Sequence, residues 1–136
     1  MTEKVFFDSN IYIYLYSQDP QDEVKGGIAR RLLAVRAPVV SPQVLQEFVS
    51  AALRKKRLGI TEEKIDLLLQ LTANFPFQPL THTLILHATA LRRRYSFSHW
   101  DSTIIAAAYA NGCSTLYSED LQHDFTLDHL TIVNPF

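Results

Sequence analysis

Short β-rich apolar runs alternate along this chain with longer helical stretches, and the joints between them are brief. No other feature narrows the possible folds as far. Residues 4–8, KVFFD, form the first run, and the aromatic, helix-permissive stretch 10–16 comes at once after it. Residues 22–36 read as an amphipathic helix whose start is weakened by Gly26 and Gly27. Residues 38–40 make a short strand. Ser41-Pro42 then marks a helix start, serine at the N-cap and proline at the first helical position, and that helix is expected to reach about Arg57 and stop at Gly59. A third helix spans 61–74, capped by Thr61, with Leu67, Leu68 and Leu71 spaced for one buried face. Two prolines leave residues 75–80 room for a short edge strand only. Helices over 81–94 and 98–110 come next, the second ending at the left-handed cap signal Asn111-Gly112. Strands at 114–117 and 130–133 complete the series. Such alternation predicts an α/β fold with a mainly parallel, short-stranded sheet.

The 136 residues, 47% of them hydrophobic, suit a single domain over 1–136 with a real core. No run of about 18 apolar residues appears, so no membrane span is expected. Nor is there a basic, apolar and small-residue leader, so a cytoplasmic location is expected. A single cysteine, Cys113, excludes an intramolecular disulfide and a cysteine-based zinc cluster, and it reads as a small buried residue. The net charge of −1 is uninformative, but the basic residues fall in blocks: Arg30-Arg31, Arg54 to Arg57, and Arg92 to Arg94. Basic blocks near helix ends complement the helix dipole or meet phosphates, and both readings stand here.

In parallel α/β sheets, sites form at the carboxyl ends of strands. Four acids are placed to meet there. Asp8 ends the first strand, and Asp120 lies just past the strand at 114–117. Asp101 falls in the first turn of the helix SHWDSTIIAAAYA, and Glu47 in the second turn of the helix that begins at Pro42. Crowded carboxylates repel unless a cation compensates, and hard oxygen ligands select Mg²⁺ or Mn²⁺ over zinc. Such an ion activates water and steadies charge on a phosphate under attack, which implies hydrolysis of a phosphate ester.

Each acid also has a plainer role open to it. Asp8 suits a helix N-cap, and Asp101 suits a capping box with Ser98. Glu47 lies outside the apolar face formed by Val44, Leu45, Phe48, Val49 and Ala52, on a stripe with Gln43, Ala51 and Arg54, where a surface glutamate would also sit. Glu119, Asp120 and Asp124 could decorate a loop. His82 and His87 stand five apart on one helix, a poor spacing for a metal pair, and His123 and His129 carry no recognisable pattern. His99 touches substrate or packs against Trp100. Phe6, Phe7, Tyr12, Tyr14 and Tyr16 read as core, with one exposed tyrosine able to stack on a base.

The segments VFFDSNIYIYLY, SPQVLQEFVSAALRK and FSHWDSTIIAAAYANGCSTLYSEDLQH together resemble the PIN domain family, and within it the VapC-type toxins of bacterial toxin–antitoxin pairs. The likeness spans nearly the whole chain in the family's order. It implies a PIN-like, Rossmann-like fold: a central sheet flanked by helices in α/β/α layers. It implies a catalytic quartet of Asp8, Glu47, Asp101 and Asp120, with Asp8, Asp101 and Asp120 as ligands of Mg²⁺ or Mn²⁺. Ser9, Asn10 and Ser118 match the family's supporting polar positions. Asp124 is an alternative to Asp120, and Glu119 a competitor. The implied activity is endoribonuclease cleavage, with transfer or ribosomal RNA as possible substrate, leaving a 5′-phosphate and a 3′-hydroxyl. Arg54, Arg93 and His99 are candidate RNA contacts. The implied partners are a cognate antitoxin protein and a second copy in a homodimer. A strand ending in aspartate also opens phosphatases of the haloacid-dehalogenase type, but these want a second aspartate where this chain has Asn10. A silent RNA- or protein-binding PIN-like module is a further alternative, though it would usually lack part of the quartet.

Overall fold

The computed structural model describes residues 3–136. Its first strand, β1 (Val5–Phe7), is buried at all three positions. A strand covered on both faces reads as an unbroken apolar run, which is why VFF does not alternate. Asp8 ends β1 and α1 (Ser9–Tyr16) begins at once. After a 3₁₀ turn over Pro20–Asp22 come α2 (Glu23–Val35) and α3 (Pro42–Arg54), the latter capped by the Ser41 hydroxyl with Pro42 in its first turn. The chain continues through α4 (Glu62–Thr72), α5 (His82–Tyr95), α6 (His99–Ala110), β2 (Thr115–Tyr117), β3 (Thr126–Leu127) and β4 (Leu130–Val133).

The sheet order is β1-β2-β4-β3. β1 and β2 are parallel, as are β2 and β4, while β3 runs antiparallel to β4. The expected α/β architecture with a mainly parallel sheet is the one observed. Several local readings are corrected. Of the three leucines expected on one buried face of α4, only Leu68 is buried; Leu67 and Leu71 are exposed, and the buried face is Ile65, Leu68 and Thr72. The predicted strands at 38–40 and 75–80 form only isolated parallel bridges, Phe6 to Val39 and Val40 to Phe77. Prolines 38, 76 and 79 remove the donors a longer ladder needs. The helix from Pro42 ends at Arg54, and residues Lys56–Leu58 turn as a 3₁₀ helix before the left-handed Gly59. Strand β3 is additional to the expected set. Two residues long and placed just after the left-handed Asp124, it has too little pattern to read.

Val39 lies on one side of β1 and β2 on the other. The chain therefore leaves β1 toward one side of the sheet and returns much later to the other. That reversal opens a crevice at the carboxyl ends of β1 and β2. Helix α6 runs through the centre, buried continuously from Ser102 to Ala108. A helix apolar all round needs cover on every side, and α5 supplies part of it. Helix α1 packs on α2 and α3, and the core gathers Phe6, Phe7, Ile11, Tyr12, Val44, Phe48, Ile105 and Leu116. Among the described residues no helix is long and apolar enough to cross a membrane.

Candidate active site

The register of β1 on β2 pairs Phe7 with Tyr117. One step further, Asp8 and Ser118 therefore leave the sheet side by side. The Asp8 backbone N–H donates to the Tyr117 carbonyl at 2.9 Å, and the Ser118 N–H to the Val133 carbonyl at 3.0 Å. The two side chains then meet: the Ser118 hydroxyl donates to Asp8 Oδ2 at 2.8 Å. Ser118 is fully buried and Asp8 is 7% exposed. The remaining oxygen, Asp8 Oδ1, accepts the Ser9 N–H at 2.7 Å and so caps α1. The capping role and membership of the acidic rim hold together, because the carboxylate has an oxygen for each.

Ser118 also organises the next three residues. Its Oγ accepts the backbone N–H groups of Asp120 (3.1 Å) and Leu121 (3.2 Å), folding the SED segment back over the strand end. Asn10, in the first turn of α1, donates from Nδ2 to Asp120 Oδ2 at 3.1 Å and accepts the Glu119 N–H at 3.3 Å. Ser118 and Asn10 thus hold Asp120 toward Asp8 from two directions. Glu119 turns the other way, pairing with Lys25 and accepting the Tyr14 hydroxyl. Asp124 is exposed, sits in the left-handed region and faces His123 at 3.3 Å. Neither enters the contacts around Asp8.

Helix α3 carries Glu47, whose charge acts on Asp8, and α6 carries Asp101, which is not among the charges acting on Asp8. Glu47 is half-buried on α3, and Gln43, one turn earlier, donates from Nε2 to Glu47 Oε2 at 3.2 Å and to the Trp100 carbonyl at 3.1 Å. One amide thereby ties α3 to the first turn of α6, where Asp101 lies. Ser98 caps α6 by accepting the Asp101 N–H at 3.1 Å. The reciprocal bond of a full capping box is not made: among the described residues the Asp101 carboxylate has no hydrogen bond.

Burial is the main cause that pushes Asp8 up, to about 6; the Ser118 and Ser9 hydrogen bonds pull against it, and the charges of Glu47 and Asp120 raise it further. Among the described residues no basic side chain pairs with it. Nor do any three His, Cys, Asp or Glu side chains among them converge tightly enough to hold a metal ion as they stand. Like charges with no counter-charge between them repel. The donors gathered here are carboxylate, hydroxyl and amide oxygens without a thiol or imidazole, the set that hard divalent ions accept.

Of the basic candidates, Arg54 and His99 line a groove beside Glu47, whereas Arg93 projects from the exposed end of α5 outside that groove. Sequence reasoning gave Gln43 no role, although it stands four residues before Glu47 on the same helical stripe.

The PIN domain family model matches residues 5–125, and the chain belongs to that family. Among solved structures, a toxin–antitoxin complex from Klebsiella pneumoniae superposes with a TM-score of 0.70 at 18% identity, covering 98% of each chain. Mycobacterium tuberculosis VapC20, a sarcin–ricin loop cleaving toxin, superposes with a TM-score of 0.66 at 21% identity, covering 86% of this chain and 92% of its own. At these identities the likeness establishes a shared fold. No curated protein sequence matches this one.

Proposed function

We propose that the chain is a divalent-metal-dependent endoribonuclease, the toxin of a toxin–antitoxin pair. The observation that carries this is a buried aspartate at the switch point of the sheet, with acids near it and, among the described residues, no basic side chain paired to it. Burying such a group costs stability that no structural partner returns. Membership of the PIN family and the two toxin structures sharing the fold support the same reading. Asp8, Asp101 and Asp120 would hold Mg²⁺ or Mn²⁺. When bound, the ion supplies a Lewis acid that stabilises charge on the phosphate and lowers the pKa of an attacking water. Glu47, outside that trio, orients the water and takes its proton. Ser118 and Asn10 position Asp8 and Asp120, and Arg54 steadies the RNA backbone. With water as nucleophile, the products carry a 5′-phosphate and a 3′-hydroxyl. The fold shared with a chain solved in a toxin–antitoxin complex supports an antitoxin as protein partner, and a homodimer in the cytoplasm fits the same reading.

The test is cleavage of a cellular RNA preparation by purified protein with Mg²⁺, with Mn²⁺ or with chelator. Discrete metal-dependent cuts bearing 5′-phosphates are expected, absent from Asp8→Asn. Undiminished cutting in chelator, or by Asp8→Asn, overturns the assignment.

A further inference from the structure

An open groove of about 690 Å³ runs alongside the acidic rim, and the proposed hydrolysis uses only its Glu47 and Arg54, leaving its apolar wall without a role. Helix α3 forms one wall with Gln43, Glu47 and Arg54. The first turn of α6 forms the other with His99 and Trp100, and Leu80 and Ile85 contribute apolar surface. Trp100 is 64% exposed, although an indole is among the side chains that gain most from burial. Its neighbour Asp101 is half-buried. One contact fixes the Trp100 backbone and one meets its ring. Gln43 holds the Trp100 carbonyl with the same amide group that holds Glu47. His99 meets the indole edge-on, with centroids 4.8 Å apart at 70°.

The groove is continuous with the acidic rim through Glu47, whose charge is felt by Asp8. Arg54 lies two turns further along the same stripe of α3, so a carboxylate and a guanidinium frame an apolar wall. A nucleic-acid strand has matching chemistry: a phosphate for the metal-bearing rim, a flanking phosphate for the guanidinium, and between them a base with an apolar face. We propose that Trp100 is a stacking platform for an unpaired base next to the scissile phosphate. This rests on the ribonuclease reading and deepens it. A base in a helix has both faces covered, so the chain would select unpaired segments at the cut. Trp100 is therefore a specificity residue, not a catalytic one.

The chain has a single tryptophan, so tryptophan emission reports from this groove alone. The probe is a short, unstructured ribo-oligonucleotide of mixed sequence with a non-hydrolysable linkage at the bond that the protein cuts, titrated in magnesium into full-length wild-type protein whose folding is checked by its melting transition. Quenching is expected. It should vanish when one nucleotide, adjacent to the bond that wild-type protein cuts, is made abasic, and survive abasic substitution elsewhere. In cleavage assays Trp100→Phe should stay within about threefold of wild type in kcat/KM. Trp100→Ala should fall roughly 5- to 100-fold, mostly through KM, the range set by loss of one stacked base.

No binding, or quenching indifferent to every abasic position, overturns the proposal. So does emission that tracks protein concentration and not oligonucleotide, which would assign the groove to a second copy of the chain. Failure of the ribonuclease reading is separate: wild-type protein would cut no RNA with either metal, whatever the emission shows.

Discussion

Asp8 and Asp22 are both buried, each 7% exposed, and they sit in opposite circumstances. Asp22 accepts the Ser17 hydroxyl at 2.6 Å and the Arg57 guanidinium at 3.1 Å. Arg57 also reaches Asp19, so two carboxylates share one cation on the 3₁₀ turn after α1. Asp8 has a hydroxyl and a backbone N–H but, among the described residues, no basic partner, and the charges of Glu47 and Asp120 repel it. Burial by itself therefore does not single out the acid we propose as functional. What marks it is burial left electrostatically unanswered. The pair Glu119 and Asp120 repeats the lesson between adjacent residues, since Glu119 is answered by Lys25 and Asp120 only by an amide.

The contrast can be broken by substitution. The largest expected effect is on chemistry: Asp8→Asn should lower cleavage roughly a thousandfold or more, while Asp22→Asn, assayed below its melting temperature, should stay within about threefold of wild type. Equal losses in the two variants would show that burial alone matters. Next comes Ser118→Ala, expected to cost about 10- to 100-fold, the usual effect of removing a group that orients a metal ligand. Because the Ser118 hydrogen bond lowers Asp8's pKa, its loss should also move the acid limb of the pH–rate profile upward. A slower enzyme with an unmoved limb would argue that Ser118 only shapes the loop.

Stability sharpens the comparison by sign. Without divalent metal at neutral pH, Asp8→Asn should stabilise the chain by about 1–3 kcal/mol, because it removes a charge that burial penalises. Asp22→Asn should destabilise it by about 2 kcal/mol, because Arg57 loses its most buried partner. Thermal or denaturant unfolding reads both, and the same sign in both variants would sink the contrast. Asp8 sets a pH dependence as well. Its folded value of about 6 exceeds the ordinary 3.8, so between them the folded state binds more protons than the unfolded. This group's contribution to stability therefore falls as pH rises through that window and levels off above it. The fall should vanish in Asp8→Asn. Mg²⁺ or Mn²⁺ should raise the wild-type melting temperature and leave the variant's unchanged. The smallest effect is at Glu119→Gln, where a partly exposed ion pair is lost: less than about 1 kcal/mol of stability, with cleavage within about twofold.

Much of this was legible in the chain itself because the signals are local. Periodicity, the caps at Ser41, Thr61 and Ser98, and the apolar run before Asp8 each depend on a few neighbouring residues. They sufficed to place the helices, the principal strands and the parallel sheet, and the strand-end rule pointed to Asp8, whose neighbours in the structure include Asp120 and the charge of Glu47. The short bridges at Val39, Val40 and Phe77 and the two-residue β3 escaped because so few residues carry no period.

The sequence by itself determined which elements form and that Asp8 must leave the sheet at a strand end. Only the tertiary structure decided which acids are answered and which are not. It joined Ser118 to Asp8 across 110 residues, turned Glu119 to Lys25 while Asp120 stayed with Asn10, and let Gln43 link Glu47 to Trp100. The reason is physical. A side chain's charge state and partners depend on distances of a few ångströms between segments far apart in the chain, and helical and strand periods hold no record of those distances.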